Sequence, residues 1–460
     1  MPLGPRVNYE TLAVDFSRYL QNGVLSAADA CRFLGISQPT FSRFIKKFKN
    51  RFFSVGRARQ VRYALRREIP GVGLSFPIHE ISSDGKTFRL GVLHGIYPAG
   101  FYFESYAPKR MASRFFEDLP YFLNDVRPSG FLGRLIPQKY SDLNLPKDIN
   151  AWSANDCLRY LTRHGSDLVG NLILGDAAFR KYLTNQTSRV VVTPEDRARV
   201  YPKMADDVLR LGDPGSSAGG EQPKFSAVVG YPPTDVLVKF SPPASKSETG
   251  RRIADLLLCE HISLGLLEKA GVSAAHCEII FGGDRLFLEV RRFDRITPSG
   301  RRGVISLGVL DAEFSGKGQS WVERSKGLLE EGIITGAADT QIRWRQLYGR
   351  LIANTDMHPG NLSFYLELPN TAALAPVYDM LPMLYMPQGG QVLDQTFTPP
   401  MPDSGDADIW LSAWTAACSF WQAVSRDERI SETFRAIAAE NLKKLNAQDH
   451  LADLLPQKQP

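Results

Sequence analysis

The stretch Leu351-Ile-Ala-Asn-Thr-Asp356-Met-His358-Pro-Gly-Asn361-Leu-Ser-Phe364 decides how this chain reads. A knot of polar residues, Asn354 to Asn361, sits between apolar Leu351-Ile352 and Leu362 to Phe364. Polar groups held among apolar ones need a reason, because each must find a partner or a task. The spacing from Asp356 to Asn361, Asp-x-x-x-x-Asn, is that of a phosphotransferase catalytic loop. The aspartate can accept the proton of an attacking hydroxyl, and the asparagine offers a hard oxygen to Mg²⁺. The pair alone arises by chance about once in a chain of this length at average residue frequencies. The polar knot around it is rarer and carries the weight.

Outward from the knot, Ala375-Pro-Val-Tyr378-Asp379-Met-Leu places one carboxylate in an apolar segment, a short hairpin's reach away. Such a carboxylate is costly unless paired or metal-bound. Asn361 and Asp379 are the expected Mg²⁺ ligands, and Asp356 would face the acceptor. Upstream, Val236-Leu-Val-Lys239-Phe240 ends an apolar strand in a lysine that can reach nucleotide phosphates. A lysine snorkelling from a strand end reads the same way by itself. Glu260 lies on the helix that follows and could hold Lys239 in place. Earlier still, Ser216-Ser217-Ala218-Gly219-Gly220-Glu-Gln222-Pro-Lys224 precedes a strand. Its small residues let successive backbone N–H groups face an anion, although it lacks a Walker pattern. A plain surface loop has a similar composition.

The N-terminal end has a different character. The 460 residues carry a formal charge of +6, but residues 1–69 alone carry +9 and the remainder −3. Between Ala30 and Arg67 there are eleven basic residues and no acidic one. Apolar periodicity predicts helices over Glu10–Gln21, Ala27–Leu34 and Gln38–Phe48. Ser26 and Ser37 serve as caps, and Gly35 as the stop between the last two. Arg51–Val55 and Gln60–Leu65 read as strands around a basic hairpin, Gly56-Arg57-Ala58-Arg59. The pattern is a winged helix-turn-helix, and its charge points to DNA. Gln38, Thr40, Ser42 and Arg43 are the base-reading candidates. Lys46, Lys47, Arg57 and Arg59 are the phosphate contacts. A basic face on a protein-docking module is the competing reading.

Composition bounds the rest. Hydrophobic residues make up 43% and charged residues 23%, which excludes disorder and a disulfide miniprotein. The five cysteines are scattered with no C-x-x-C, so reduced thiols and the cytoplasm are expected, with no metal knuckle. The start has no signal-peptide core. Trp410, Trp414 and Trp421 mark a buried helix within Ile409–Ser425, and no membrane partner is expected. Ile69–Pro77 reads as a linker. Short strands are predicted at Phe76–Ile81, Thr87–His94, Phe101–Phe103, Val190–Val192, Phe225–Val229 and Asp235–Phe240. A helix is predicted at Glu248–Lys269, and paired strands at Ala275–Phe281 and Arg285–Val290. From about Leu307 the pattern is helical. The fold class is α+β, with a β-containing half and a helical half.

In this order the loop at 216–224, Lys239, Arg292-Phe293-Asp-Arg295, the knot at 354–361 and Tyr378-Asp379 resemble the HipA-type serine/threonine kinases of toxin–antitoxin pairs. The resemblance covers roughly residues 75–440. It implies an ATP- and Mg²⁺-dependent protein kinase with a two-lobed kinase-like body. It makes Asp356 the catalytic base, Asn361 and Asp379 the metal ligands, and Lys239 and His358 the neighbours of the phosphates. Lys224, Gln222, Glu260 and Tyr378 join the ATP site. Arg291 to Phe293 form the hinge against adenine through backbone groups. Family members can autophosphorylate a loop serine, a position matched by Ser217 with Ser216 adjacent; a dianion there would repel ATP phosphates. In the familiar pairs the DNA-binding module belongs to a separate antitoxin. Here it is fused at the N-terminus, which is similar to the YjjJ-type subgroup.

The expected domains are therefore 1–69 (winged helix-turn-helix), 75–296 (N-terminal kinase lobe) and 297–460 (helical lobe). Expected partners are DNA and a protein substrate, aminoacyl-tRNA synthetases being targets in the family. An antitoxin and a second copy of the chain remain open. Two other functions stay in view: a transcriptional regulator whose body senses nucleotide, and a small-molecule phosphotransferase.

Overall fold

The computed structural model describes residues 8–55, 61–211, 222–296, 299–316, 318–366, 372–403 and 405–448. The N-terminal module opens with α1 (Tyr9–Leu20), β1 (Leu25–Ser26), α2 (Ala27–Leu34) and α3 (Gln38–Lys47). It closes with β2 (Phe52–Val55) and β3 (Arg62–Leu65), in the sheet order β1-β3-β2. The helices match the periodicity. Ser26 accepts the Asp29 N–H as the cap of α2, and Gly35 ends that helix at φ +62°. Phe16, Phe41, Phe44 and Phe52 fill the module's core. The hairpin tip with Arg57 and Arg59 lies outside the described residues.

Strand β2 carries two consecutive phenylalanines, and strand periodicity sends them opposite ways. Phe52 enters the module core, while Phe53 meets His94 and Tyr102 of the next unit, with ring centroids 4.5 and 4.9 Å away. Leu65 and Ala64 divide between the two clusters in the same manner. Ile69–Pro77, expected as a linker, is instead packed structure. Ile69 is fully buried, the Arg67 N–H donates to the Gly95 carbonyl, and the Tyr97 N–H donates to the Leu65 carbonyl. The Arg67 guanidinium donates to the carbonyls of Ile96, Ala99 and Gly100 and to Asn155. Gly71 and Gly73, which suggested a linker, have φ of +74° and +109° and make a tight turn.

The second unit is a five-stranded antiparallel sheet, β4 (Ser75–Ile81), β5 (Thr87–Gly95), β6 (Phe101–Ser105), β7 (Arg114–Phe116) and β8 (Leu172–Leu174), ordered β7-β6-β5-β4-β8. Helices α4 (Gly130–Arg134), α5 (Ile136–Lys139) and α6 (Ala154–His164) accompany it, and α7 (Asp176–Thr187) follows. Its core runs from Ile69 to Leu174.

The third unit starts at α8 (Arg197–Leu211) and its sheet is β9 (Lys224–Val229), β10 (Thr234–Phe240), β11 (Cys277–Gly282) and β12 (Arg285–Arg291), antiparallel in the order β11-β12-β10-β9. Helix α9 (Glu248–Lys269) crosses between β10 and β11. Val190–Val192, expected as a strand, gives a single bridge from Val192 to Val229, and Val190 is left exposed. Residues 75–296, expected as one lobe, thus hold two sheets with separate apolar cores.

The helical part follows β13 (Arg295–Ile296) and β14 (Gly300–Arg301). It comprises β15 (Val304–Ser306), α10 (Leu307–Phe314), α11 (Trp321–Glu330), α12 (Gly336–Leu351), β16 (Ser363–Tyr365), β17 (Ala373–Leu374), α13 (Trp410–Arg426) and α14 (Glu432–Asn446). Trp410 and Trp421 are buried in its core, as their spacing required. The architecture is α+β with a β-containing half and a helical half. No described helix is long and apolar enough to cross a membrane.

The seam between module and second unit holds a titratable group. His94 stands between Arg66 (3.2 Å) and Glu104 (3.1 Å). Burial pushes its pKa below the ordinary value, and Arg66 adds to this against Glu104. The folded state therefore favours the neutral ring. This contribution is fully present above the unfolded value near 6.5 and is lost as pH falls from there through the lower folded value. Amide protection of β2 and β3 is expected to drop as pH falls below about 6.5, the unfolded histidine value. His94→Gln should flatten that drop in hydrogen exchange. An unchanged pH dependence would show that His94 does not govern the seam.

Candidate active site

Strand β10 reaches the cleft with alternate residues, which sends Val236, Val238 and Phe240 into the core of the third unit. Lys239 faces the other way, yet it is buried. Its ammonium donates to both carboxylate oxygens of Glu260 on α9, at 2.7 Å each, and to Oδ1 of Asp379. Burial lowers the lysine's pKa, but Asp379 and Glu260 outweigh it, and the net shift is upward. For Asp379, burial pushes up while Lys239 and Lys224 pull down, leaving the carboxyl below its ordinary range. Glu260 ends above its range, because burial and Asp379 together exceed the pull of Lys239. The triad is one lysine shared by two carboxylates, with Lys224 paired opposite Lys239 on the neighbouring strand.

The knot at 354–361 follows α12. Ala353 and Asp379 adopt left-handed backbone, at φ +60° and +53°. Asn354 is buried and works as a pin. Its Oδ1 accepts the Asp356 N–H at 3.0 Å, and its Nδ2 donates to the Asp379 carbonyl at 3.3 Å. The Asn361 Nδ2 donates to the Asp356 carbonyl at 2.9 Å, which closes the loop on itself. The His358 Nδ1 accepts the Gly360 N–H at 3.1 Å, and its carbonyl accepts the Trp321 indole N–H at 3.0 Å. Tyr378 donates to the Gly360 carbonyl at 2.8 Å and lies 2.7 Å from the Ser363 hydroxyl. Strands β16 and β17 pair antiparallel, forming the hairpin that carries the chain from Asn361 back to Asp379. A side chain at Gly349 would meet the Met357 sulfur at 2.6 Å, so Met357 packs closely on α12 at that glycine.

The structure thus gathers Lys239, Glu260 and Asp379 in direct contact, and ties Asp356, His358, Asn361 and Tyr378 into one hydrogen-bonded loop joined to Asp379 through Asn354. Asp356 is exposed. Gln222 donates its amide to the Phe240 carbonyl. Arg291 pairs in the sheet opposite Val236, with its side chain in solvent. The Phe293 ring rests against Tyr378 (5.6 Å) and Tyr365 (6.2 Å), an internal contact. Ser216, Ser217, Ala218, Gly219 and Gly220 lie outside the described residues. On the N-terminal module, Gln38, Ser42, Arg43 and Lys46 are exposed along α3. Thr40 shares a hydrogen bond with the Ser37 cap, and Lys47 pairs with Glu10 at 3.3 Å, so both are less free than the sequence suggested.

The structural roles of four residues escaped the sequence reading. Asn354 lay inside the knot with nothing to separate it from its neighbours. Arg345 is buried on α12 and donates to the Ala375 carbonyl at 3.0 Å, which steadies the segment leading to Asp379. Arg292 and Arg295 converge on Asp167 and Asp294 at 2.7–3.0 Å, clamping the loop after α6 to the start of the helical part. An Arg-rich tetrapeptide carrying one aspartate was the available signal for the clamp.

The donor set suits Mg²⁺. That ion takes one or two protein oxygens and leaves its other positions to water and phosphate. Asp379 supplies a carboxylate whose Oδ1 already faces a cation, the Lys239 ammonium, and Asn361 supplies an amide oxygen. Among the described residues there is no cluster of three His, Cys, Asp or Glu that would make a closed metal site.

The chain is similar to known proteins over most of its length. Residues 216–445 match the HipA-like C-terminal domain, and residues 72–183 match the middle domain of YjjJ-like toxins. The toxin YjjJ of Escherichia coli K12 is 36% identical over 433 residues, covering 93% of this chain and 96% of that protein. Among solved structures, HipA of the Shewanella oneidensis MR-1 toxin–antitoxin system, in complex with HipB and its operator DNA, is similar at a TM-score of 0.52 and 17% identity. It covers 82% of this chain and 99% of that one.

The triad makes a measurable demand on stability. Removing one partner of a buried ion pair leaves the other uncompensated, which costs about 3–5 kcal/mol. Lys239→Met should therefore destabilise the body by several kcal/mol in urea unfolding. Lys239→Met with Glu260→Leu should cost less than the sum of the single changes. Strict additivity would show that the pair does not compensate the burial.

Proposed function

The chain belongs to the HipA-like family, on its YjjJ-like branch, and on that premise we propose that it is an ATP- and Mg²⁺-dependent serine/threonine protein kinase. The contact of Lys239 with both Glu260 and Asp379 carries this reading. A strand lysine held by a helix glutamate is the arrangement that positions nucleotide phosphates in kinases. Asn361 and Asp379 would hold the metal, which would neutralise phosphate charge. Glu260 keeps the Lys239 ammonium fixed in the cleft. The Asp356 carboxylate, exposed beside that cleft, would accept the proton of a substrate hydroxyl. Its loop is already braced through Asn354 and Asn361, so little reorganisation would be needed at the moment of reaction.

Ser217, or Ser216 beside it, is the proposed autophosphorylation site, and its dianion would switch the enzyme off by repelling nucleotide phosphates. The N-terminal module would bind DNA through the exposed face of α3, with Gln38, Ser42 and Arg43 toward bases and Lys46 toward phosphate. HipA from Shewanella was solved with HipB and operator DNA. Here the corresponding DNA contact would come from the same chain, and toxicity, an antitoxin and a dimer belong to the same proposal.

Incubation with γ-labelled ATP and Mg²⁺ should label the protein, and mass spectrometry before and after should place the phosphate on Ser217 or Ser216. Asp356→Ala should lower the rate by at least about 10²-fold, the usual effect of a positioned general base. Equal labelling of wild type and Asp356→Ala, or none of the chain or any lysate protein, would overturn the kinase reading. The exposed basic face of α3 also keeps the regulator reading alive, in which the body binds nucleotide without turnover. Arg43→Ala with Lys46→Ala should weaken DNA binding and shrink its salt slope by about 1 for each phosphate no longer neutralised. Anisotropy with labelled duplex DNA at low salt measures this. Binding that persists unchanged would remove α3 as the DNA face.

A further inference from the structure

Away from the cleft, the second unit carries a cluster of positive charge within a body whose net charge is −3. Three elements build it. Helix α5 ends in Lys139 and leads into Tyr140, α6 ends in Arg163-His164, and α7 brings Lys181 alongside. The His164 and Tyr140 rings pack with centroids 4.0 Å apart, and Tyr160 lies behind at 6.0 Å, nearly parallel to His164. The Lys181 ammonium sits 3.4 Å from the His164 Nδ1, and the Lys139 ammonium lies 5.6 Å from the Tyr140 ring centre. Arg163 is exposed and donates to the Gly71 carbonyl at 3.0 Å. Lys139 and Lys181 are exposed as well, while Tyr140 and His164 are half-buried.

Several cations of the second unit are matched. Arg159 pairs with Asp156 and Arg127 with Asp118. Among the described residues, Lys139, Arg163 and Lys181 have no carboxylate within ion-pair distance. Their field is felt at His164, whose pKa falls first through burial and then through Lys181, Arg163 and Lys139, with Asp142 as the opposing acid. Like charges gathered without counter-charges are unfavourable until an anion arrives. Exposed cations held together by the ring pair suit a partner with closely spaced phosphates.

We propose that the Tyr140–His164 ring pair, flanked by Lys139, Arg163 and Lys181, binds the phosphodiester backbone of a nucleic acid at a site distinct from α3. Between α4 and α7 the exposed large apolar side chains are Leu132, Val169 and Leu183, scattered over three separate segments, which favours nucleic acid over insertion into a membrane.

The test uses the full chain carrying Arg43→Ala and Lys46→Ala, so that α3 contributes little. Anisotropy would be read with single-stranded RNA, single-stranded DNA and duplex DNA of about 20 nucleotides, longer than a typical single-domain site. Adding Lys139→Ala, Arg163→Ala and Lys181→Ala should weaken binding at least about tenfold. It should also cut the salt slope by about 0.7 per cation removed on single strands. Because Arg163 also touches the Gly71 turn, Lys139→Ala with Lys181→Ala alone gives a second reading free of that contact. Loss confined to single strands assigns a separate strand. Loss on duplex assigns the flank of DNA held by the module. Affinity and salt slope unchanged on all three probes, in both variants, would overturn the proposal. The kinase reading would stand in either case, since none of these residues lies in its cleft.

Discussion

A lysine buried between two carboxylates is the constraint on which the rest of the body depends. Lys239 comes from a strand, Glu260 from the long helix after it, and Asp379 from a hairpin in the helical half. A charge out of water is tolerable only with close partners. The triad therefore fixes how the β-containing half and the helical half meet. It also explains why Asp379 can sit in an apolar segment with left-handed backbone: its carboxylate and its carbonyl both have partners, Lys239 and Asn354. Asn354 extends the constraint to the Asp356 loop, and Asn361 locks that loop onto itself.

A second set of buried charges does comparable work at the other seam. Arg292, Arg295, Asp294 and Asp167 join the second unit to the start of the helical part. Asp125 reinforces that join by accepting from the Ser306 backbone and hydroxyl at 2.6 and 2.8 Å. At the first seam, Arg67 directs its donors to four groups of the second unit, and Phe53 of β2 and Ala64 of β3 face it. The N-terminal module is thus docked through its sheet, while α3 keeps its basic face in solvent. That division leaves the basic face of α3 and the Lys239 triad on separate parts of one chain.

Much of this was legible in the residues. The cap at Ser26, the stop at Gly35 and the phenylalanine stripe located the three N-terminal helices to within a residue or so, because these signals are local; Ser37 holds the N-cap position of α3, but its hydroxyl turns to Thr40 and caps no backbone N–H. Helix α9 falls on Glu248–Lys269 as read, and the structure adds Ser247 as its cap. The errors have physical causes too. Ile69–Pro77 looked like a linker because glycine and proline mark turns whether or not the turn is buried. Val190–Val192 looked like a strand because β-branched residues favour one, but it finds only a single bridge at the edge of β9.

The sequence by itself determined the chemistry on offer: which residues could accept a proton, hold a metal or carry a fixed charge, and the division into a basic module and a mildly acidic body. Those are properties of side chains and of local spacing. Only the tertiary structure decided that Lys239 touches Asp379 across 140 positions of chain. The same holds for Asn354 as the pin between two loops, and for the Arg292–Arg295 block as a clamp between units. Each is a pairing of buried polar groups from distant segments. Such pairings follow from the need to satisfy every charge and donor that folding removes from water, a condition on the whole chain that no local pattern encodes.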